Sequence, residues 1–100
     1  MLEITKMLTL STAHISEHTE KLLNQISEDK TESRLIVYKK GEYGYFIYVT
    51  KDADGIVVPY KQEIPEELHR CLCLADELGC NILCFDRDGE ISKALKTFDW

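Results

Sequence analysis

Two acidic motifs of the form Asp-x-Asp-Gly are the part of this chain that most resembles a metal site. One is KDADGI, residues 51–56, and the other is FDRDGE, residues 85–90. A calcium-binding helix–loop–helix would need a glutamate at the twelfth position of a loop that starts at Asp86. That position is Thr97. Because aspartate accepts hydrogen bonds from nearby backbone N–H groups and glycine reaches positive φ, both motifs are predicted to be structural turns, and no metal site is predicted.

A second group of side chains would suit a small anion or a phosphorylated ligand. The segment STAH, residues 11–14, falls at the end of a predicted strand just before a helix, where free N–H groups attract anions. The predicted hairpin KKGEYG, residues 39–44, adds lysine and tyrosine side chains at the same end of the sheet. A capped helix entrance beside an exposed hairpin is the structural alternative. The candidate ligand-binding residues are Ser11, Thr12, His14, Lys39, Lys40 and Tyr43.

Four cysteines between residues 71 and 84 do not have the spacing of a zinc site. They do not form two close pairs that flank a loop, and two of them fall in a helical pattern where i and i+2 point in different directions. We therefore expect reduced thiols that are buried in the core. The cysteines are Cys71, Cys73, Cys80 and Cys84.

Length and charge exclude several classes of function. A chain of 100 residues forms one domain, residues 1–100, and it has no apolar run near the roughly 20 residues that cross a bilayer. We therefore expect a cytoplasmic protein without a membrane partner. The net charge of −6 repels phosphate backbones. Although the aromatic stretch GYFIYV resembles a strand of RNA-recognition modules, nucleic-acid binding is disfavoured, and a basic protein partner suits the chain better.

Hydrophobic periodicity predicts the order β-α-β-β-α-β. Ser16 is the expected N-cap of the first helix, Pro65 opens the second, and Gly79 ends it. The region 51–62 is expected to add a short strand, and residues 90–95 a further short strand or a helical turn. The order predicts an α+β, ferredoxin-like (split βαβ) antiparallel sheet with two helices on one face. The predicted strands are residues 2–10, 34–39, 45–50 and 81–85, and the predicted helices are residues 16–29 and 65–78.

This topology has two consequences for surfaces. Both Asp-x-Asp-Gly turns should lie at one end of the sheet, with STAH and the hairpin tip at the other. Alternation places Tyr45 and Ile47 on one face and Phe46 and Tyr48 on the opposite face, so that both faces carry apolar side chains. One face packs on the helices. The other is expected to be covered by a partner, by the closing residues TFDW or by a second copy, and we expect a homodimer that pairs through this face or through an edge strand.

Four phrases, LSTAHI, GEYGYFIYV, FDRDGE and TFDW, resemble a family of small uncharacterised bacterial proteins that recurs in phages, plasmids and other mobile elements. The resemblance covers nearly the whole chain and implies genomic context, because the family has no established activity to transfer. The chain departs from the usual pattern in its cysteine content and in the segment KDADGIVVPYKQ. The matching residues are Ser11, Thr12, His14, Ile15, Gly41, Tyr43, Gly44, Asp86, Asp88, Gly89, Asp99 and Trp100.

The sequence contains no nucleophile with an evident base and orienting group, and no phosphate-binding glycine loop. We therefore expect a non-enzymatic, acidic accessory or anti-defence protein without a cofactor, which binds a host protein or itself. The alternative is a small module that binds a nucleotide or another anion through STAH and the KKGEYG hairpin. The candidate partner-binding residues are Asp86, Asp88, Asp99 and Trp100.

Overall fold

The computed structural model describes residues 2–42 and 44–100, which contain two α-helices and six β-strands. A short 3-10 helix, Thr12–His14, joins the first strand to the first helix. The elements are β1 (Met7–Ser11), α1 (Glu17–Ser27), β2 (Val37–Lys39), β3 (Gly44–Tyr48), β4 (Thr50–Lys51), β5 (Val57–Val58), α2 (Glu66–Glu77) and β6 (Ile82–Asp86).

Both helices begin and end where local chemistry predicts. The Ser16 side chain accepts a hydrogen bond from the Thr19 N–H at 3.2 Å, which caps the start of α1. Pro65 precedes α2, whose first turn carries Glu66 and Glu67 near the positive end of the helix dipole. Gly79, at φ 73°, turns the chain away after α2. The two predicted helices are confirmed.

The main sheet has the strand order β1-β6-β3-β2. Strand β6 runs parallel to β1 and antiparallel to β3, and β2 runs antiparallel to β3. A ferredoxin-like sheet would instead place the last strand antiparallel to the first, so that arrangement is not confirmed, whereas the α+β class is. Sequence alternation indicates which face of a strand is buried, but it does not identify the neighbouring strand.

The turns that lie at each end of the sheet also differ from the prediction, because β6 runs parallel to β1 and not antiparallel to it. Because β6 and β1 are parallel, they finish at one end, where Ser11 pairs in register with Asp86 and Asp86 with Gly44. We call this the hairpin end, since the β2–β3 turn also lies there. The predicted separation of the 86–89 turn from the STAH segment is therefore wrong, and only the 52–55 turn lies beyond the other end of β3.

The predicted alternation in β3 is confirmed. One face of the sheet packs under the helices and contributes most of the core. Registered layers on that face join Leu10, Phe85 and Tyr45, and next to them Leu83, Ile47 and Val37. The opposite face, which we call the aromatic face, is not covered by either helix. It carries Met7, Ile36, Tyr38, Phe46, Tyr48 and Ile82.

The remaining predicted elements agree with the structure to different degrees. Strand β1 starts only at Met7, while Leu2 and Ile4 are 90% and 85% exposed. Strands β4 and β5 form a separate two-stranded ribbon, in agreement with the additional strand predicted for residues 51–62. Residues 90–95 form no strand, and of the two predicted alternatives they show only a single turn, in which the Leu95 N–H donates to the Ser92 carbonyl at 3.4 Å. No helix in the described part of the chain is both long enough and apolar enough to cross a membrane.

Candidate functional site

The side chain of His14 forms hydrogen bonds with the backbone of residues 92–100, which we call the C-terminal segment. Its ring is buried, at 1% exposure, and the Ser92 N–H donates to its Nε2 at 2.8 Å. Since Nε2 accepts, the ring proton lies on Nδ1, which donates to the Lys96 carbonyl at 2.7 Å. Both ring nitrogens are thereby bonded to protein atoms. The capped, structural interpretation of this residue fits its geometry better than a direct ligand contact.

The hydroxyl oxygen and the backbone N–H of Ser11 are likewise hydrogen-bonded to the protein. Its Oγ accepts a hydrogen bond from the Ala13 N–H at 3.0 Å and caps the 3-10 helix, which includes Thr12. Its own N–H donates to the Glu90 carbonyl at 2.9 Å. The residues that follow β6 therefore pack directly on the end of β1.

The two hairpin lysines point to different partners. Lys40 forms an ion pair with Asp86, and this bond is the main reason why the pKa of Asp86 is below its ordinary value. The Lys39 Nζ lies 3.8 Å from a carboxylate oxygen of Glu28, at the end of α1. Tyr43 lies outside the described residues. The structure thus brings Ser11, His14 and Lys40 to the hairpin end, but it does not join Lys39 and Lys40 in one anion site.

The C-terminal residues lie beside the 3-10 helix. The Phe98 N–H donates to the Ala13 carbonyl at 2.8 Å, and the Trp100 indole Nε1 donates to the Ile15 carbonyl at 2.8 Å. Trp100 and Asp99 remain exposed. The expectation that TFDW covers the free face of the sheet is therefore wrong. The other two predicted partner-binding residues lie at the hairpin end, where Asp86 ends β6 and Asp88 lies in the turn that follows.

A cavity of about 420 Å³ lies between α2 and the C-terminal segment. Glu66, Glu67, Arg70 and Cys71 share one face of the first turns of α2 and form one wall. The other wall comes from the C-terminal segment, namely Ala94, Leu95, Lys96 and Phe98, with His14 at the side. Sequence reasoning identified His14 alone among these, because the remaining residues belong to no motif and meet only through the tertiary fold.

Glu67 connects the starts of the two helices. Its Oε1 accepts hydrogen bonds from the hydroxyls of Ser16, at 3.0 Å, and Thr19. Burial acts to raise the pKa of Glu67, but the hydroxyl bonds from Thr19 and Ser16 together with backbone hydrogen bonds outweigh it, and the pKa lies below the ordinary value. Glu67 is therefore a fixed negative charge on the cavity wall.

A thiol and an imidazole meet on α2, but their electrostatics do not activate the thiol. The Cys73 Sγ lies 3.7 Å from the His69 ring nitrogens. Burial raises the pKa of Cys73 and lowers that of His69, so both groups are held neutral rather than as a thiolate–imidazolium pair. Burial also raises the pKa of Cys71 to about 12.

All four thiols are free. Cys71 and Cys84 are buried, as predicted, while Cys73 and Cys80 are partly exposed. Within residues 2–42 and 44–100, no group of three or more His, Cys, Asp or Glu side chains is arranged to hold a metal ion.

Comparison with known proteins identifies the family of the chain. No curated protein and no solved structure matches it. The sequence model of the C-terminal domain of a family of unknown function, DUF5983, matches residues 7–100. This match confirms the predicted relationship to an uncharacterised family, and the chain belongs to the DUF5983 family.

Proposed function

We propose that this protein is a non-enzymatic binding protein that engages a protein partner through the aromatic face. The observation that carries the proposal is the exposure of large apolar side chains on the sheet face opposite the helices. Tyr38, Met7 and Tyr48 are 57%, 48% and 43% exposed. Soluble monomers rarely leave contiguous apolar patches larger than a few hundred Å² in water, and larger patches mark interaction surfaces.

The geometry of the tyrosines supports a preformed binding surface. The rings of Tyr38 and Tyr48 pack edge to face, with centroids 5.9 Å apart and an interplanar angle of 90°. Each ring is thus held by the other before a partner arrives. Tyrosine is enriched at the centres of interfaces because it contributes a large contact area with few rotatable bonds.

The net charge of the chain favours a protein partner over a nucleic acid. Lys40, which lies at the hairpin end, is neutralised by Asp86, and the chain carries a net charge of −6. Stacking of bases on tyrosines requires a positive groove to hold the phosphates. A partner with an apolar centre suits the aromatic face, and a basic partner suits the negative charge of the chain as a whole.

The sequence supports a host protein in a reducing compartment as the partner. The resemblance to proteins of phages and plasmids supports a host protein as the partner, in an accessory or anti-defence role. The four free thiols suit a reducing compartment such as the cytoplasm. A second copy of the chain is the alternative partner, since a sheet face can pair with itself around a two-fold axis.

A binding role rather than catalysis is supported by what the reactive side chains do. His14 has both ring nitrogens bonded to the backbone, and the Cys73–His69 pair is held neutral. Neither histidine is thereby arranged as a general base next to an activated nucleophile.

The test compares the chain with a variant that carries charge on the aromatic face, Tyr38→Glu/Tyr48→Glu. The matched control is Ile56→Glu/His18→Glu, which adds two carboxylates at exposed positions of the ribbon and of α1. Light scattering measures self-association, and immobilised chains capture proteins from a host lysate. Circular dichroism checks that all three chains are folded.

We expect the wild type and the control to capture the same protein and the aromatic-face variant to lose it. Self-association of the wild type and the control, abolished in the aromatic-face variant and without any captured protein, would identify a second copy as the partner. Equal capture and equal association by all three chains would refute the proposal.

A further inference from the structure

We propose that the cavity between α2 and the C-terminal segment binds a small organic carboxylate of amino-acid size. Arg70 and Lys96 would hold the carboxylate, and Leu95 and Phe98 would contact the apolar part of the ligand. This site is separate from the aromatic face and does not depend on protein binding there.

The first argument is charge. Arg70 and Lys96 both line the cavity, and among the described residues neither forms an ion pair or a side-chain hydrogen bond. At least six of the 12 basic residues, Lys40 and Lys51 among them, form ion pairs in the described part of the chain. Two cations that line one cavity and are not held in ion pairs can both turn to an anion there. The planar guanidinium of arginine matches the two oxygens of a carboxylate.

The second argument is the apolar wall. Leu95 and Phe98 are half-buried, and Leu95 packs against the hydrophobic core. Buried Cys71, whose thiol is neutral, lies on the α2 side. The volume of about 420 Å³ falls in the range of small-molecule pockets, which combine apolar walls with a few polar groups that fix orientation.

The third argument concerns the preference of the site for a carboxylate over a phosphate. Glu66 and Glu67 lie on the same cavity, and the bonds from Ser16 and Thr19 keep Glu67 ionised. Two negative charges on the wall repel a dianion more strongly than a monoanion. The site therefore favours a singly charged carboxylate that carries an apolar group.

The fourth argument is preorganisation. The His14 ring bonds to the backbone of Ser92 and Lys96, and the Trp100 indole bonds to the Ile15 carbonyl. The segment that carries Leu95, Lys96 and Phe98 is thus fixed at both of its ends. A fixed wall reduces the entropy that is lost when a ligand binds.

The experiment titrates the full chain with N-acetylleucine, with N-acetylleucinamide, which lacks the carboxylate, and with inorganic phosphate. Backbone amide NMR shifts of residues 66–71 and 94–98 report the site. Trp100, the single tryptophan, gives an independent fluorescence signal beside it. The test variant is Arg70→Gln, and Lys93→Gln is the matched control, because Lys93 is exposed and does not line the cavity.

We expect saturable shifts with N-acetylleucine, at least about tenfold weaker binding of the amide and of phosphate, and a loss of about tenfold in affinity in Arg70→Gln. Lys93→Gln and Tyr38→Glu/Tyr48→Glu should bind like the wild type. Equal binding of the amide, unchanged affinity in Arg70→Gln, or no saturable shift up to about 10 mM ligand would overturn the proposal.

Discussion

The turns at residues 52–55 and 86–89 carry the same motif and share the same hydrogen bonds. In each, Oδ1 of the first aspartate accepts the N–H of the second, at 2.9 Å in both cases. In each, the glycine N–H donates to the carbonyl of the first aspartate, at 3.0 Å for Gly55 and 2.9 Å for Gly89. Aspartate therefore has one role in the two turns, namely to satisfy the backbone where the chain reverses.

The glycines differ. Gly55 has φ 79°, in the left-handed region, and a methyl group added to it would meet no atom within 4 Å. Gly89 does not have a left-handed φ, but an added Cβ would lie 2.6 Å from the Leu10 carbonyl oxygen and 2.9 Å from the Ser11 nitrogen. The first turn needs glycine for its conformation, and the second needs it for space. The same motif thus needs its glycine for two different reasons, backbone conformation in one turn and close packing in the other.

The largest expected effect is that of Gly89→Ala. The added methyl group meets the backbone of β1, which cannot rotate away, so we expect a loss of about 3 kcal/mol in the free energy of unfolding. Urea denaturation measures it. A loss no greater than that of Gly55→Ala would show that the 86–89 turn can move away from β1.

A smaller effect is expected for Gly55→Ala, about 1 kcal/mol, because alanine is strained at positive φ while the space is open. Asparagine tolerates the left-handed region, so Gly55→Asn should recover part of this loss. Gly89→Asn should be as damaging as Gly89→Ala. Recovery by asparagine at both positions would contradict the distinction between conformation and space.

The next expected effect is on the pH dependence of stability. Backbone hydrogen bonding with Ile56, then Tyr60, lowers the pKa of Asp52, and the Lys40 bond lowers that of Asp86. A folded-state pKa below the unfolded one gives stability that is present above the unfolded pKa, about 3.9, and is lost as pH falls through the folded pKa. Asp52→Asn and Asp86→Asn should each flatten the acid limb of a plot of stability against pH.

Salt separates the two aspartates. At about 1 M NaCl the Debye length is about 3 Å, so the attraction within the partly exposed Lys40–Asp86 pair is weakened. The stability difference between wild type and Asp86→Asn should therefore shrink. That for Asp52→Asn should shrink less, because its hydrogen-bond partners, among them the Tyr60 hydroxyl at 2.7 Å, are uncharged and the Arg34 charge contributes least. If salt changed the two stability differences equally, the charged partner Lys40 and the uncharged partner Tyr60 would not distinguish the two turns.

The smallest expected effect is that of calcium, for which we predict no shift in melting temperature at millimolar concentration. In each turn the oxygens of the first aspartate already bond to the protein. A calcium site needs six to eight oxygen ligands. A rise in melting temperature that Asp52→Asn or Asp86→Asn abolishes would contradict this.

The sequence predicts local features of the fold because their causes are local. The Ser16 cap, the Pro65 start and the Gly79 stop each depend on a few neighbouring residues, and the structure confirms them. The structure also confirms that Tyr45 and Ile47 share a face, because that alternation needs no knowledge of the partner strand.

The features that were missed depend on residues far apart in sequence. The pairing of Leu10 with Phe85, and the bonds of His14 to Ser92 and Lys96, join opposite ends of the chain. No spacing rule predicts them. Arg70 and Lys96 likewise resemble ordinary surface cations until the fold places them on one cavity.

The position of β6 between β1 and β3 has a consequence for synthesis on the ribosome. The chain that joins β1 to β6 is long, since Lys6, just before β1, bonds to Asn81, 75 residues later and just before β6. While the nascent chain is shorter than this, β1 has no strand to pair with, and β3 has an open edge. Such edges recruit strands from other chains. The central strand is thus the last to arrive, and folding of the sheet must wait until nearly all of the domain has left the exit tunnel.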